Sequence, residues 1–205
     1  DVAGAAAPGL PCVISGRNES CAWGVTSVGS DLIDLYADTL SADGKRVRWQ
    51  GGWAPVTSAP YDVRIRRAGL SIPVPAFVRK RRWTPHGPVV SWDPKNHLAL
   101  AARWSAMEDE RITIRHMVGI EQSRSAEEIA QRFRTMVTPA FTCVTADDEG
   151  HVIYQATGLT PVRPFPFSYG PLPSDGKHEW AGFVPADSMP AWRVPANGYV
   201  VNGNN

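Results

Sequence analysis

The chain has 205 residues, 43% apolar and 20% charged, with a formal net charge of +1. That balance describes a globular domain, excludes a disordered tail, and leaves no electrostatic case for a nucleic-acid partner. No run of about eighteen apolar residues exists and the Ala-rich start lacks a basic leader, so neither a membrane partner nor a visible signal peptide is expected.

Eighteen Gly and eighteen Pro predict short strands joined by long, shaped loops. Residues 1–11 read as a Gly/Ala/Pro loop. Val13-Ile14-Ser15 and residues 21–26 are expected as strands around a turn at Gly16-Arg17-Asn18. Residues 31–40 alternate, with Leu32, Asp34 and Tyr36 on one side and Ile33, Leu35 and Ala37 on the other. Asp43-Gly44 predicts a hairpin with Arg46-Val47-Arg48-Trp49 returning. Residues 61–67 alternate again, and residues 89–91 and 97–104 are further strand candidates.

The period then changes. Ser125-Ala126-Glu127-Glu128 is a capping box in which the Ser hydroxyl and Glu carboxylate satisfy each other's backbone donors, and Ile129, Phe133, Met136 and Val137 follow at helical spacing. Residues 110–120 are a second helix candidate. Residues 141–145 and 151–154 bracket Asp147-Asp148-Glu149-Gly150 as a hairpin. Residues 158–190 read as Pro-rich loop before a last strand at Tyr199-Val200-Val201. The sum is a strand-dominated α+β chain, one domain or part of one.

Several motifs lose their chemistry on inspection. Residues 170–177 resemble a phosphate loop, but the spacing is one residue too long and His178 stands where Ser or Thr should ligate magnesium. Ser174-Asp175-Gly176-Lys177 matches S-x-x-K without the helical turn that motif needs. Arg79-Lys80-Arg81-Arg82-Trp83 reads as a solvated connector, and His86, between Pro85 and Gly87, as a histidine tucked into a turn. Asn18-Glu19-Ser20 is a glycosylation triplet with meaning only in a secreted eukaryotic protein. The five His lie far apart, so zinc is not expected. Cys12, Cys21 and Cys143 read as buried small residues, the alternative being one disulfide and a free thiol.

Six segments carry a stronger signal through their order. They are residues 18–26, Asp31-Leu32-Ile33-Asp34-Leu35-Tyr36, Thr84-Pro85-His86-Gly87-Pro88-Val89, Ala146-Asp147-Asp148-Glu149-Gly150, Glu179-Trp180-Ala181-Gly182 and Asn202-Gly203-Asn204-Asn205. In that order they resemble the penicillin amidase (penicillin acylase) family of N-terminal-nucleophile hydrolases, over the early and middle part of its β chain. The resemblance implies part of an αββα four-layer sandwich, with residues 1–205 a partial β-chain domain incomplete at both ends.

It also implies chemistry. The family's nucleophile is a Ser at the N-terminus of the β chain, its own α-amine serving as base. Asp1 lacks the hydroxyl or thiol this needs, so the nucleophile is expected upstream and the segment alone is expected to be inactive. Asn204 matches the family's side-chain oxyanion donor and Ser27 the residue whose backbone N–H is the second donor; a turn-forming Asn is the plainer reading of Asn204. Val25, Phe141 and Ser15 match positions lining the acyl pocket, Ser15 departing from the aromatic of the penicillin G subgroup. Asp31 and Asp34, with the Ile33 carbonyl between them, match a structural calcium site, the alternative being surface acids.

The parent would cleave a linear amide (a penicillin or cephalosporin, an acyl-homoserine lactone or another N-acyl compound) through an acyl-enzyme. Its partners would be that small-molecule amide and the remaining α and β segments of one precursor, in the periplasm or outside the cell. Two other classes remain open at this point. One is a non-catalytic binding or structural domain that keeps the amidase scaffold. The other, suggested by eight Trp, is an all-β carbohydrate binder, which would need an exposed Trp platform; Trp23, Trp104 and Trp180 are expected to be buried instead.

Overall fold

The computed structural model describes residues 1–10, 12–61, 64–67, 70–73, 79–109 and 113–204, with backbone alone at 64–67, 70–73, 79 and 113–116. In chain order the strands are β1 (Ala3–Ala5), β2 (Ser15–Arg17), β3 (Cys21–Ser27), β4 (Ile33–Thr39), β5 (Arg46–Trp49), β6 (Gly52–Pro55), β7 (Thr57–Tyr61) and β8 (Arg64–Arg67). Then come β9 (Leu70–Pro73), β10 (Arg79–Thr84), β11 (Gly87–Asp93), β12 (Leu98–Trp104), helices α1 (Thr113–Ile120) and α2 (Ala126–Arg134), β13 (Phe141–Asp147), β14 (Val152–Ala156), β15 (Leu172–Pro173) and β16 (Ala191–Val194). Contacts divide the chain into two units, Asp1–Leu32 with Ser105–Val162 and Ala181–Asn205, and Ile33–Trp104 with Arg163–Trp180. Among the described residues no helix is long and apolar enough to cross a membrane.

The first unit is built on a six-stranded antiparallel sheet in the order β1-β2-β3-β13-β14-β16. Period-two alternation sends Trp23, Cys143 and Ile153 to one face. There α1 and α2 cover them with Met117, Ile120, Ile129 and Phe133. The other face presents Tyr154 and Ala156 to Met189, Val184 and Val200. All three cysteines are buried and free, as one of the two readings required.

α2 begins where the capping residue predicts. Ser125 Oγ accepts from Glu128 N–H at 3.2 Å, but the Glu128 carboxylate reaches Arg124 N–H at 2.7 Å, so the box closes one residue early. Asp147 adds a second cap by accepting from Ala126 N–H at 3.0 Å. Glu127 and Glu128 in the first turn and Arg132 and Arg134 in the last complement the helix dipole. The start of the other helix candidate, residues 110–112, lies outside the described residues.

Three expectations in this unit are corrected. Residues 3–5 form a strand instead of loop, because Gly4 and Gly16 let β1 and β2 approach until an added Cβ at Gly4 would stand 2.3 Å from the Ser15 carbonyl oxygen. The turn falls at residues 18–20, where Asn18 Oδ1 accepts from both Ser20 and Cys21 N–H, and Gly16 and Arg17 belong to β2. The last strand is Ala191–Val194, ended by Pro195, and residues 199–201 pair with no strand.

The second unit holds a sheet in the order β15-β4-β12-β11-β10-β7, antiparallel except where β15 runs parallel to β4, with the two-stranded ribbons β5-β6 and β8-β9. The Asp43-Gly44 turn forms, Asp43 accepting from the Ser41 hydroxyl and Lys45 N–H. Its return strand nevertheless pairs with β6, leaving the single bridge Leu40↔Val47. Asp62 and Val63, central to the expected strand over residues 61–67, lie outside the described residues. Leu40, Val47 and Ala99 form a small core with Val56, Val89 and Trp92 packed on it.

β4 turns its amphipathicity inside out. Tyr36 and Asp38 are fully buried, whereas Ile33 and Leu35 are 48% and 40% exposed. Trp23 and Trp180 are buried as expected, but Trp104 is 38% exposed, because it is the register partner of Ile33 on that same open face.

Candidate active site

Ser27 ends β3, and its strand pairing leaves its N–H to be satisfied by the chain's last segment. It donates to Asn204 Oδ1 at 3.1 Å, across 177 positions of sequence. The two residues matched to oxyanion donors therefore meet at one point, the exposed end of the β3–β13 ladder. Asn204 reaches it in a left-handed conformation with φ of 65°, which Asn tolerates better than most residues. Behind it, Asn202 binds Thr26, Thr142 and Tyr154 at 2.5, 3.2 and 3.2 Å.

The residues matched to an acyl pocket gather beside this point. Ser15 Oγ accepts from Val25 N–H at 3.2 Å, Phe141 is the register partner of Ser27, and Val25 and Phe141 both pack against the Trp23–Phe133 cluster. They form an apolar wall with one hydroxyl, half-buried.

Of the residues matched to calcium, Asp34 already has protein partners. Asp34 Oδ2 accepts from Arg163 Nε at 2.8 Å and from Trp180 Nε1 at 2.6 Å. A carboxylate already balanced by a guanidinium is a poor ligand for a hard cation. Among the described residues no group of three or more His, Cys, Asp and Glu is placed to hold a metal. No chemistry below passes through calcium.

The second unit contains a buried cluster that sequence reasoning missed. His86 sits on the β10–β11 turn with its side chain fully buried, Nδ1 2.6 Å from Asp38 Oδ1 and Nε2 3.0 Å from Glu179 Oε1. Both ring nitrogens face carboxylate oxygens, which accept when ionised, an arrangement that favours the doubly protonated imidazolium. Burial alone would lower the imidazolium, but the bonds to Asp38 and Glu179 outweigh it and hold His86 above its ordinary value. Arg103 completes the balance at 3.1 Å from Glu179, and Tyr36 stacks on the imidazole at 3.7 Å. Burial, first, and the Glu179 charge push the Tyr36 phenol up to about 12. The ring nitrogens of His86 bond carboxylates, and His86 and Arg103 together face Asp38 and Glu179. The two acids lie 48 and 93 positions from His86, beyond any local motif.

The scaffold is shared with hydrolytic amidases. The family model described as penicillin amidase matches residues 1–205, and the chain belongs to that family. An acyl-homoserine lactone acylase QuiP of Pseudomonas fluorescens is 28% identical over 98% of this chain and 25% of its own length. Penicillin acylase 2 proenzyme of Pseudomonas sp. (strain SE83) is 26% identical over 100% of this chain and 26% of its own length. The chain thus spans about a quarter of the curated relatives it matches. Among solved structures, a thermostable penicillin G acylase from Alcaligenes faecalis superposes with a TM-score of 0.84 at 25% identity, covering 100% of this chain and 36% of that one. The strand-dominated α+β fold is that of an N-terminal-nucleophile hydrolase.

Proposed function

We propose that this chain is an internal β-chain segment of a larger acylase that hydrolyses a linear amide through an acyl-enzyme, and that Ser27 N–H and the Asn204 carboxamide bind the oxyanion. The observation that carries the reading is the 3.1 Å meeting of those two groups at an open strand end. Family membership supplies the reaction class, and the names of the relatives supply the range of acyl amides.

In this reading a Ser at a free N-terminus, outside this chain, attacks the amide carbonyl carbon. Its hydroxyl proton passes to its own α-amine and then to the departing amine nitrogen; water later attacks the ester and releases the acid. While the carbonyl oxygen carries charge, it displaces Asn204 Oδ1 from the Ser27 N–H. The exposed carboxamide turns Nδ2 toward it, so two N–H donors converge on one oxygen. The wall of Val25, Phe141 and Ser15 takes the acyl side chain.

In the full-length enzyme, Asn204→Ala should slow acylation about 100- to 1000-fold, the usual cost of one oxyanion donor. A rate close to wild type in single-turnover kinetics would remove Asn204 from the reaction.

A further inference from the structure

Residues 199–204 reach the site without a ladder to hold them. None of them lies in a strand, and Tyr199 and Val201 are 88% and 79% exposed. A catalytic amide at the end of such a segment needs another source of rigidity, since a displacement of about 1 Å is enough to lose much of the rate.

We propose that Asn202 is the positioning residue that holds Asn204 over the Ser27 N–H. Its carboxamide uses every hydrogen-bonding position it has. Oδ1 accepts from the Thr26 hydroxyl at 2.5 Å and from the Asn204 backbone N–H at 2.9 Å. Nδ2 donates to Thr142 Oγ1 and to the Tyr154 hydroxyl, each at 3.2 Å. The orientation of the amide is unambiguous, because a backbone N–H can only donate and so must face Oδ1.

The three anchors come from β3, β13 and β14, three adjacent strands. Thr26 and Thr142 are register partners, and Thr142 and Tyr154 are 1% and 7% exposed. The anchor is therefore three inner strands of the sheet, held at the end of the β3–β13 ladder by buried Thr142 and Tyr154 and by exposed Thr26. The load is one backbone N–H two residues on, an Asx-type turn over Gly203 that sets the left-handed Asn204. Asn202 touches no reacting atom in this scheme and acts through Asn204.

The inference rests on the oxyanion reading of Asn204, and a double-mutant cycle separates the two. In the full-length acylase, single-turnover acylation with a chromogenic N-acyl amide is measured for Asn202→Ala, Asn204→Ala and the double variant. Asn202→Ala should lower kcat at least about tenfold with KM within about twofold, because the bonds of Asn202 go to Thr26, Thr142, Tyr154 and Asn204, none of them in the acyl wall. The double variant should be no slower than Asn204→Ala alone. Asn202→Ser, which keeps an acceptor for the Asn204 N–H, should recover part of the rate.

A wild-type kcat for Asn202→Ala beside a slow Asn204→Ala overturns the positioning role alone, as do losses that multiply in the double variant. A neutral Asn204→Ala overturns the oxyanion reading and this inference with it. Should Asn202→Ala fail to fold, Thr26→Val removes the 2.5 Å anchor and leaves Asn202 in place. A several-fold fall in kcat at unchanged KM then supports the role, and an unchanged kcat overturns it.

Discussion

Gly87 shows how much a single position can decide. Its φ is +135°, and a Cβ there would stand 2.3 Å from the Ala102 carbonyl oxygen, so the turn that delivers His86 is open to glycine alone. Gly87→Ala in the full-length protein should destabilise by more than about 1 kcal/mol, since both strain and backbone clash oppose it; denaturant unfolding measures this. Asp38→Ala should cost more, about 3–5 kcal/mol, because it leaves a fully buried imidazolium facing an empty site. Equal stability of this variant and wild type would mean that His86 is neutral when folded. At this scale family order singled out Asn204 and Ser27, and the two do meet at 3.1 Å, although Asn204 lies at the end of no strand. The sequence was silent about the partners of His86, because Asp38 and Glu179 are brought there by tertiary packing, and an isolated His in a Pro-Gly turn carries no trace of acids 48 and 93 positions away.

At the scale of elements, period and caps carried most of the fold. α2 was legible because Ser125 is followed by charged and apolar residues at helical spacing. Ser125→Ala should cost about 1 kcal/mol, less than for a lone cap because Asp147 also binds the first turn. A double variant with Asp147→Ala should lose more than the two single losses summed, read from chemical denaturation. β4 was legible as a strand but not in its facing. Hydrophobicity predicts Ile33 and Leu35 inside, yet the buried side carries Asp34, Tyr36 and Asp38, each bonded to groups from distant segments. Alternation fixes which residues share a face; which face is buried depends on those partners. The last segment was misread for the opposite reason. Tyr199-Val200-Val201 has strand propensity, but Ala191–Val194 already occupies the free edge of β14.

Over the whole molecule, the distribution of charge makes a statement about pH. His86 is held above its ordinary value of 6.5 in the folded state, so the stability it contributes is fully present below that value. The contribution is lost as the pH rises through the raised folded value, when the imidazolium gives up one of its two protons and one flanking carboxylate loses its donor. Melting temperature measured across that range should fall with rising pH, and His86→Gln should flatten the profile. A profile equally steep in the variant would assign the dependence to other groups. The chain covers about a quarter of its curated relatives, so this test and the kinetic ones belong to the full-length protein.

The central claim is that two N–H groups from opposite ends of this chain serve one oxygen. A crystal structure of the full-length enzyme with a tetrahedral transition-state analogue on its nucleophile tests it most directly. The anionic oxygen should lie about 2.7–3.1 Å from both the Ser27 nitrogen and Asn204 Nδ2, with the Asn204 carboxamide turned from its present bond. An analogue oxygen bound by other donors, with the 3.1 Å Ser27–Asn204 bond still in place, would contradict it.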